Sequence, residues 1–130
     1  GTQMIVLDAS AIIRVLVGRD PGSVLLDAVA GDLAAPHILD VEVLSALRGM
    51  VLGGVLPLEA AESARRSYAD LVITRYEAVL LADRVWALRT QYTSYDAMYL
   101  ALAEGLGVPL VTCDRKLDAG GHHVEVVVYA

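Results

Sequence analysis

"MIVLDAS", residues 4–10, is the stretch on which the fold turns. Met4 to Leu7 are apolar and read as a buried strand, and the run stops at a carboxylate, Asp8. Late in the chain "PLVTCD", residues 109–114, repeats the pattern and ends at Asp114. Burying an unpaired carboxylate is costly, so two core strands that each finish on one require a reason.

Working outward from Asp8, short apolar runs alternate with amphipathic stretches, the pattern of an α/β domain. Helices are predicted over Ala9–Val17, ended by Gly18, and over Gly22–Ala30, followed by a short strand at Leu33–Pro36. A helix over Val41–Leu52 is closed by Gly53 and Gly54, and another over Leu58–Ala69 is opened by Pro57. Leu71–Arg75 reads as a strand and Glu77–Thr90 as a helix. The next helix, Tyr95–Leu106, has Ser94 as its predicted N-cap and Gly107 just past its end. Strands at Val108–Thr112 and Val124–Val128 complete the chain. Repeats, low-complexity tracts and linkers are absent from the sequence. Strands separated by helices favour a parallel sheet covered on both faces, and such sheets bind ligands at the carboxyl ends of their strands, where strand order reverses. Asp8 and Asp114 both stand at such an end.

The 130 residues suit a single domain, taken here as residues 4–130, and 56% of them are hydrophobic. No apolar run approaches the roughly 18 residues of a membrane span. No basic segment leads into an apolar stretch and cleavage site, so no signal peptide is expected. Gly1, Thr2 and Gln3 precede Met4, which reads as the native start, and are expected to be a cloning remnant. A lone cysteine, Cys113, has no internal disulfide partner, which fits a reducing cytoplasm. The net charge of −6 argues against a nucleic-acid binder unless several acids are gathered around bound cations. Nine of the ten basic residues are arginine, the better phosphate-recognising group.

Each acid taken alone has a structural explanation. Asp8 caps the helix that follows it, and Asp114 caps a short turn over Arg115–Asp118. Asp96 lies in the first turn of its helix, where the macrodipole favours negative charge, and Glu42 sits two residues after Asp40, itself a candidate cap. Taken together, Asp8, Glu42, Asp96 and Asp114 are all expected at one edge of the sheet. Glu42 shares a helical stripe with Ser45, Ala46 and Gly49, which leaves room beside it. Thr112 points to the same side of its strand as Asp114, and Ser10 brings a second hydroxyl close to Asp8. Carboxylates at close range repel unless some protonate or a cation joins them, and oxygen-only donors suit Mg²⁺ or Mn²⁺ rather than zinc.

At this point the residues resemble the PIN-domain nucleases and, among them, the VapC-type toxins of bacterial toxin–antitoxin pairs. The resemblance is carried by "IVLDASAII" (5–13), "PHILDVEVLSAL" (36–47) and "SYDAMYLALAEGLGVPLVTCDRKL" (94–117), in that order and spacing, and covers Met4 to Ala130. It implies a five-stranded parallel sheet of order 3-2-1-4-5 with helices on both faces, which sets Asp8 beside Asp114. It also implies a Mg²⁺- or Mn²⁺-dependent endoribonuclease whose metal site is Asp8, Glu42, Asp96 and Asp114. Asp8, Asp96 and Asp114 would be direct ligands, Glu42 a ligand or water-orienting base, and Ser10 and Thr112 supporting hydroxyls. Arg14, Arg115 and Lys116 are candidates for guiding RNA phosphates. The implied partners are a second copy, forming a homodimer, and an antitoxin whose C-terminal segment blocks the site. Ser45 departs from the family, whose members often carry Asn there, and Asp118 is read as a solvated surface residue.

Other features have plainer readings. His122 and His123 follow two glycines in a loop, and adjacent histidines rarely reach one metal. Trp86, Tyr92, Tyr95 and Tyr99 read as core or subunit-contact aromatics rather than base-stacking platforms, and Cys113 as a small core residue. A signalling receiver domain would need paired acids after the first strand, a phospho-accepting Asp after a middle strand and a lysine after a late one. The one lysine, Lys116, falls beyond Asp114. An aspartyl-phosphate phosphatase would carry Asp where Ser10 stands. A catalytically silent PIN fold that only binds partners is the remaining alternative, and all four acids speak against it.

Overall fold

The computed structural model describes residues 3–18 and 20–129; Gly1 and Thr2, part of the expected cloning remnant, lie outside the described residues. Five parallel strands form one sheet: β1 (Ile5–Leu7), β2 (Leu33–Pro36), β3 (Ile73–Tyr76), β4 (Leu110–Thr112) and β5 (Val126–Val128). Their order is β3-β2-β1-β4-β5, as expected. Helices α1 (Ala9–Val17), α2 (Ser23–Val29), α3 (Ile38–Leu52), α4 (Leu58–Asp70), α5 (Ala82–Ala87) and α6 (Ser94–Leu106) connect the strands and cover both faces of the single α/β domain. The centre is dry. Val6 and Leu7 of β1, Ala34 and Ala35 of β2 and Leu110 of β4 are fully enclosed. A strand buried on both faces reads as a continuous apolar run, and this is why "IVL" identified β1. α6 packs on β1, β2 and β4, with Ala97, Ala101 and Ala103 buried. α1 packs on α3 and α4 and also touches β4.

Three local expectations need correction. α3 begins at Ile38, not Val41, with His37 as its cap, because the Asp40 carboxylate is engaged elsewhere. It accepts from the Tyr68 hydroxyl at 2.5 Å and from Arg75 Nε and Nη2, both at 2.9 Å for the nearer oxygen. Asp40 therefore sits in the first helical turn, and Glu42 lies deeper in the helix than expected. The predicted helix over residues 77–90 is instead a 3-10 turn at Ala78–Leu81 followed by the six-residue α5. α5 ends at Leu88, which is buried, and the turns after it carry Tyr92 into the core. Thr93 rather than Ser94 caps α6, its side chain accepting from the Asp96 N–H.

The α6 C-terminus ends on Gly107, in the left-handed region at φ 67°. Its N–H closes on the carbonyls of Ala103 and Glu104, and the turn delivers the chain directly into β4. On the outer side of α6, Glu104 is clamped by Arg84, with Nε to Oε1 at 2.6 Å and Nη2 to Oε2 at 3.1 Å. The backbone N–H of His123 adds a third donor at 3.1 Å. The guanidinium bonds, more than the partial burial that opposes them, hold the Glu104 carboxyl below its ordinary range.

Two outcomes follow from these contacts. Gly107→Ala should destabilise by about 1 kcal/mol in chemical denaturation, because a Cβ there meets nothing within 4 Å and the cost is the left-handed backbone alone. Glu104 has a depressed folded-state pKa, so its stabilising contribution is complete above its ordinary value of 4.5 and fades as pH falls through the lower folded value. The difference in melting temperature between wild type and Glu104→Gln should accordingly shrink at acid pH.

Candidate metal centre

Asp8 is the first residue past β1. As the N-cap of α1 it accepts the Ala11 N–H at 3.1 Å through Oδ1. The same carboxylate is only 7% exposed and takes two hydroxyl donors, Ser10 Oγ to Oδ1 at 2.7 Å and Thr112 Oγ1 to Oδ2 at 2.5 Å. Each hydroxyl has one proton, and both protons go to Asp8, so the 3.2 Å approach of Ser10 Oγ to Thr112 Oγ1 is a contact, not a further bond. Their lone pairs are used too. Ser10 Oγ accepts the Cys113 N–H and Thr112 Oγ1 accepts the Asp114 N–H, each at 2.9 Å. These bonds bind the start of α1 to the end of β4, across the point where strand order reverses. Burial pushes the Asp8 carboxyl above its usual range; the Thr112, Ser10 and Ala11 donors oppose that, and the Asp114 charge adds to it.

The other three acids arrive from separate elements. Glu42, half-buried on α3, accepts a hydrogen bond at Oε1 from the Tyr99 hydroxyl of α6. Burial raises its carboxyl as well; the Tyr99 bond lowers it, and the charges of Asp8 and Asp96 raise it further. Asp96 lies in the first turn of α6. Asp114 caps the 3-10 turn Arg115–Asp118, accepting the Lys116 N–H at 3.0 Å. The Lys116 ammonium reaches back to Asp114 Oδ2 at 3.3 Å and Asp96 Oδ2 at 3.9 Å. Asp114, first, and Asp96 raise the Lys116 pKa in return.

The four expected acids thus share one edge of the sheet and act on one another electrostatically. Among the described residues, however, no three His, Cys, Asp or Glu side chains converge closely enough to enclose an ion. Asp8 and Glu42 are held by hydroxyl donors, and Asp96 and Asp114 share the Lys116 ammonium. As a donor set they fit a hard divalent cation: four carboxylates and no nitrogen or sulfur, with two of the acids raised by burial and mutual charge that a cation would offset.

The remaining candidates fall on either side of this group. Lys116 is turned onto the acids, Arg115 is exposed beside it, and Arg14 is half-buried near the end of α1. Ser45 is exposed one turn beyond Glu42, and Asp118 is exposed at the end of its turn. His122 is committed to structure: Nδ1 accepts the Val124 N–H at 3.1 Å, so Nε2 carries the proton and donates to the Leu117 carbonyl at 2.9 Å. Cys113 is half-buried against the core. Tyr92 is a core aromatic, but Trp86 and Tyr95, at 68% and 58% exposed, are not. Trp86 lies under the Arg89 guanidinium, 4.8 Å from ring centroid to Cζ. Tyr99 was read from the sequence only as an aromatic of core or contact surface; its hydroxyl also ends on Glu42. The available signal was its spacing, three residues after Asp96 and so on the same helical stripe.

The chain has recognisable relatives among known proteins. Residues 5–122 match the family described as PIN domain. Ribonuclease VapC12 of Mycobacterium tuberculosis is 35% identical over 129 residues, which span 98% of this chain and all of that protein. Ribonuclease VapC1 of the same organism is 38% identical over 117 residues, covering 88% of each. Among solved structures, a chain of a toxin–antitoxin complex from Klebsiella pneumoniae shares the fold, with a TM-score of 0.66 and 24% identity over 95% of both chains.

Thr112→Val should show how much the group depends on its hydroxyls. The substitution keeps the shape but leaves buried Asp8 Oδ2 without its side-chain donor and the Asp114 N–H without its acceptor. A loss of about 2 kcal/mol in urea denaturation is expected, with Thr112→Ser recovering most of it.

Proposed function

Because the chain belongs to the PIN-domain family, and within it to the VapC ribonucleases, we propose that it is a Mg²⁺- or Mn²⁺-dependent endoribonuclease acting on RNA phosphodiester bonds. The observation that carries this reading is Asp8: a buried carboxylate at the reversal of strand order, held by two hydroxyls and coupled in charge to Asp114 and Glu42. A bound divalent ion supplies a water of lowered pKa and neutralises charge on the scissile phosphate. Asp8, Asp96 and Asp114 would hold it, and Glu42 would either join them or orient the attacking water. Ser10 and Thr112 fix the rotamer of Asp8, so that it meets the cation without reorganisation. Lys116, here paired with Asp96 and Asp114, would have to give way to a bound cation and, with Arg115 and Arg14, would offer positive charge to the RNA backbone. No side-chain nucleophile is needed, since water attacks.

In this reading the natural partners are a cognate antitoxin and a second copy of the chain. The antitoxin is supported by an apolar groove between α3 and α4, where Leu44, Leu52 and Leu58 stand exposed above Leu47 and Ala61. No helix among the described residues is long and apolar enough to cross a membrane. A PIN fold that binds partners without cleaving RNA is the second reading. One observation favours it: no three of the acids converge on a common point.

The test is cleavage of mixed cellular RNA by purified protein with Mg²⁺, with Mn²⁺ and with chelator, beside Asp8→Asn. Asparagine still caps α1, so the variant should fold. Metal-dependent cutting that falls at least about 100-fold in the variant is expected, the scale on which one preorganised charge-stabilising group acts. Wild type that binds Mn²⁺ yet cuts no RNA in any metal would favour the partner-binding reading.

A further inference from the structure

Tyr99 is among the largest fully enclosed side chains of the protein, 2% exposed, and sits in the second turn of α6 between Ala97 and Leu100, which are both buried. Packing alone would be served by phenylalanine, and a buried hydroxyl is costly unless it is bonded. This hydroxyl is bonded, and its acceptor is not a backbone carbonyl of the core but Oε1 of Glu42 on a different helix. Glutamate has three side-chain torsions, and its only other restraint here would be whatever binds its second oxygen. Among the hydrogen bonds of the described residues, Tyr99 is the one donor to Glu42, and Oε2 takes none. α6 therefore supplies the edge twice: a carboxylate at its first turn, Asp96, and one turn deeper the hydroxyl that pins a carboxylate from α3.

From this we infer that Tyr99 is a positioning residue, which anchors Glu42 by one oxygen and leaves the other directed at the acid cluster to meet a cation or its water. The inference rests on the metal-dependent reading above and adds to it a specific device. Asp8 is prepared by Ser10 and Thr112, from the helix it caps and the neighbouring strand; Glu42 is prepared by a tyrosine from a different helix, α6. A hydroxyl that orients a ligating carboxylate characteristically changes metal affinity or activity by about 10- to 100-fold when removed.

Tyr68 provides the matched control. Its hydroxyl donates to Asp40, two residues before Glu42 on the same helix, in a group that also contains Arg75. Tyr68→Phe and Tyr99→Phe delete the same atom from the same kind of tyrosine–carboxylate bond, but only the second bond ends in the acid cluster. Both phenylalanine variants keep the ring volume, so both should fold, and circular dichroism and thermal melting verify that.

The experiment measures Mn²⁺ affinity by electron paramagnetic resonance for wild type, Tyr99→Phe, Tyr68→Phe, Glu42→Gln and the double variant Glu42→Gln/Tyr99→Phe. Tyr99→Phe is expected to weaken Mn²⁺ binding at least about 10-fold. Tyr68→Phe should stay within about twofold of wild type, and Tyr99→Phe should have no further effect once Glu42 is Gln, since it acts through that carboxylate. Unchanged or tighter binding in Tyr99→Phe overturns the inference. So does an equal loss in the Glu42→Gln background, which would mean that Tyr99 acts on the site by another route. Failure of the wild type itself to bind Mn²⁺ would sink the metal reading and the role of Tyr99 with it, a pattern distinct from the other two.

Discussion

A carboxylate at the end of the central strand cannot be left without donors once the sheet closes around it, and much of this structure follows from meeting that demand. Asp8 is satisfied by one amide from the helix it starts and by two hydroxyls, one from that helix and one from β4. Because Ser10 and Thr112 in turn accept the amides of Cys113 and Asp114, the same bonds set the course of the chain as it leaves β4. The strand pair β1–β4 is thus joined by its ladder below and by a side-chain network above. A network whose every member is satisfied is rigid, and among the described residues no buried side-chain polar atom lacks a partner.

Like charge is the second constraint. Asp8, Glu42, Asp96 and Asp114 come from two strand ends and two helices that the sheet brings to one edge, and their mutual repulsion must be offset. The offsets differ with depth. Buried Asp8 and half-buried Glu42 have hydroxyl donors that carry no charge, so their carboxyls stay raised. The more exposed Asp96 and Asp114 share the ammonium of Lys116, which sits in solvent at little desolvation cost. In the metal-dependent reading, a cation at this edge would meet two acids with neutral hydroxyl donors and two paired with an exposed ammonium.

α3 is held from both sides by tyrosine hydroxyls. Tyr68 and Arg75 draw Asp40 towards α4 and β3, whereas Tyr99 draws Glu42 towards α6. The two acids are only two residues apart, so they project from the helix in different directions and are free to serve different ends. Asp40, with a carboxyl lowered by Arg75 and Tyr68 against the opposing effect of burial, ties the helix to the sheet. Glu42 faces the acid cluster.

The strand order was implied by the family resemblance, whereas the sequence by itself marked most strands and helices and pointed to four acids at strand ends and helix starts. Those features depend on local periodicity and on residues that end runs: "IVL" halting at Asp8, Gly18 after α1, Pro57 before α4 and Gly107 after α6. Tertiary structure decided what local pattern could not. Asp40 looked like a helix cap, but a guanidinium and a hydroxyl from elements more than 25 residues away claimed its carboxylate, and α3 started a turn early. Residues 77–90 have the composition of one helix, yet they fold as a 3-10 turn and a short helix that leads to the buried Leu88 and Tyr92. Tyr99 read only as a core or contact aromatic, because nothing in its neighbours along the chain says that Glu42, 57 residues earlier, lies within reach of its hydroxyl. A side chain's partner across the core is a property of packing, and packing exists only once the sheet has assembled.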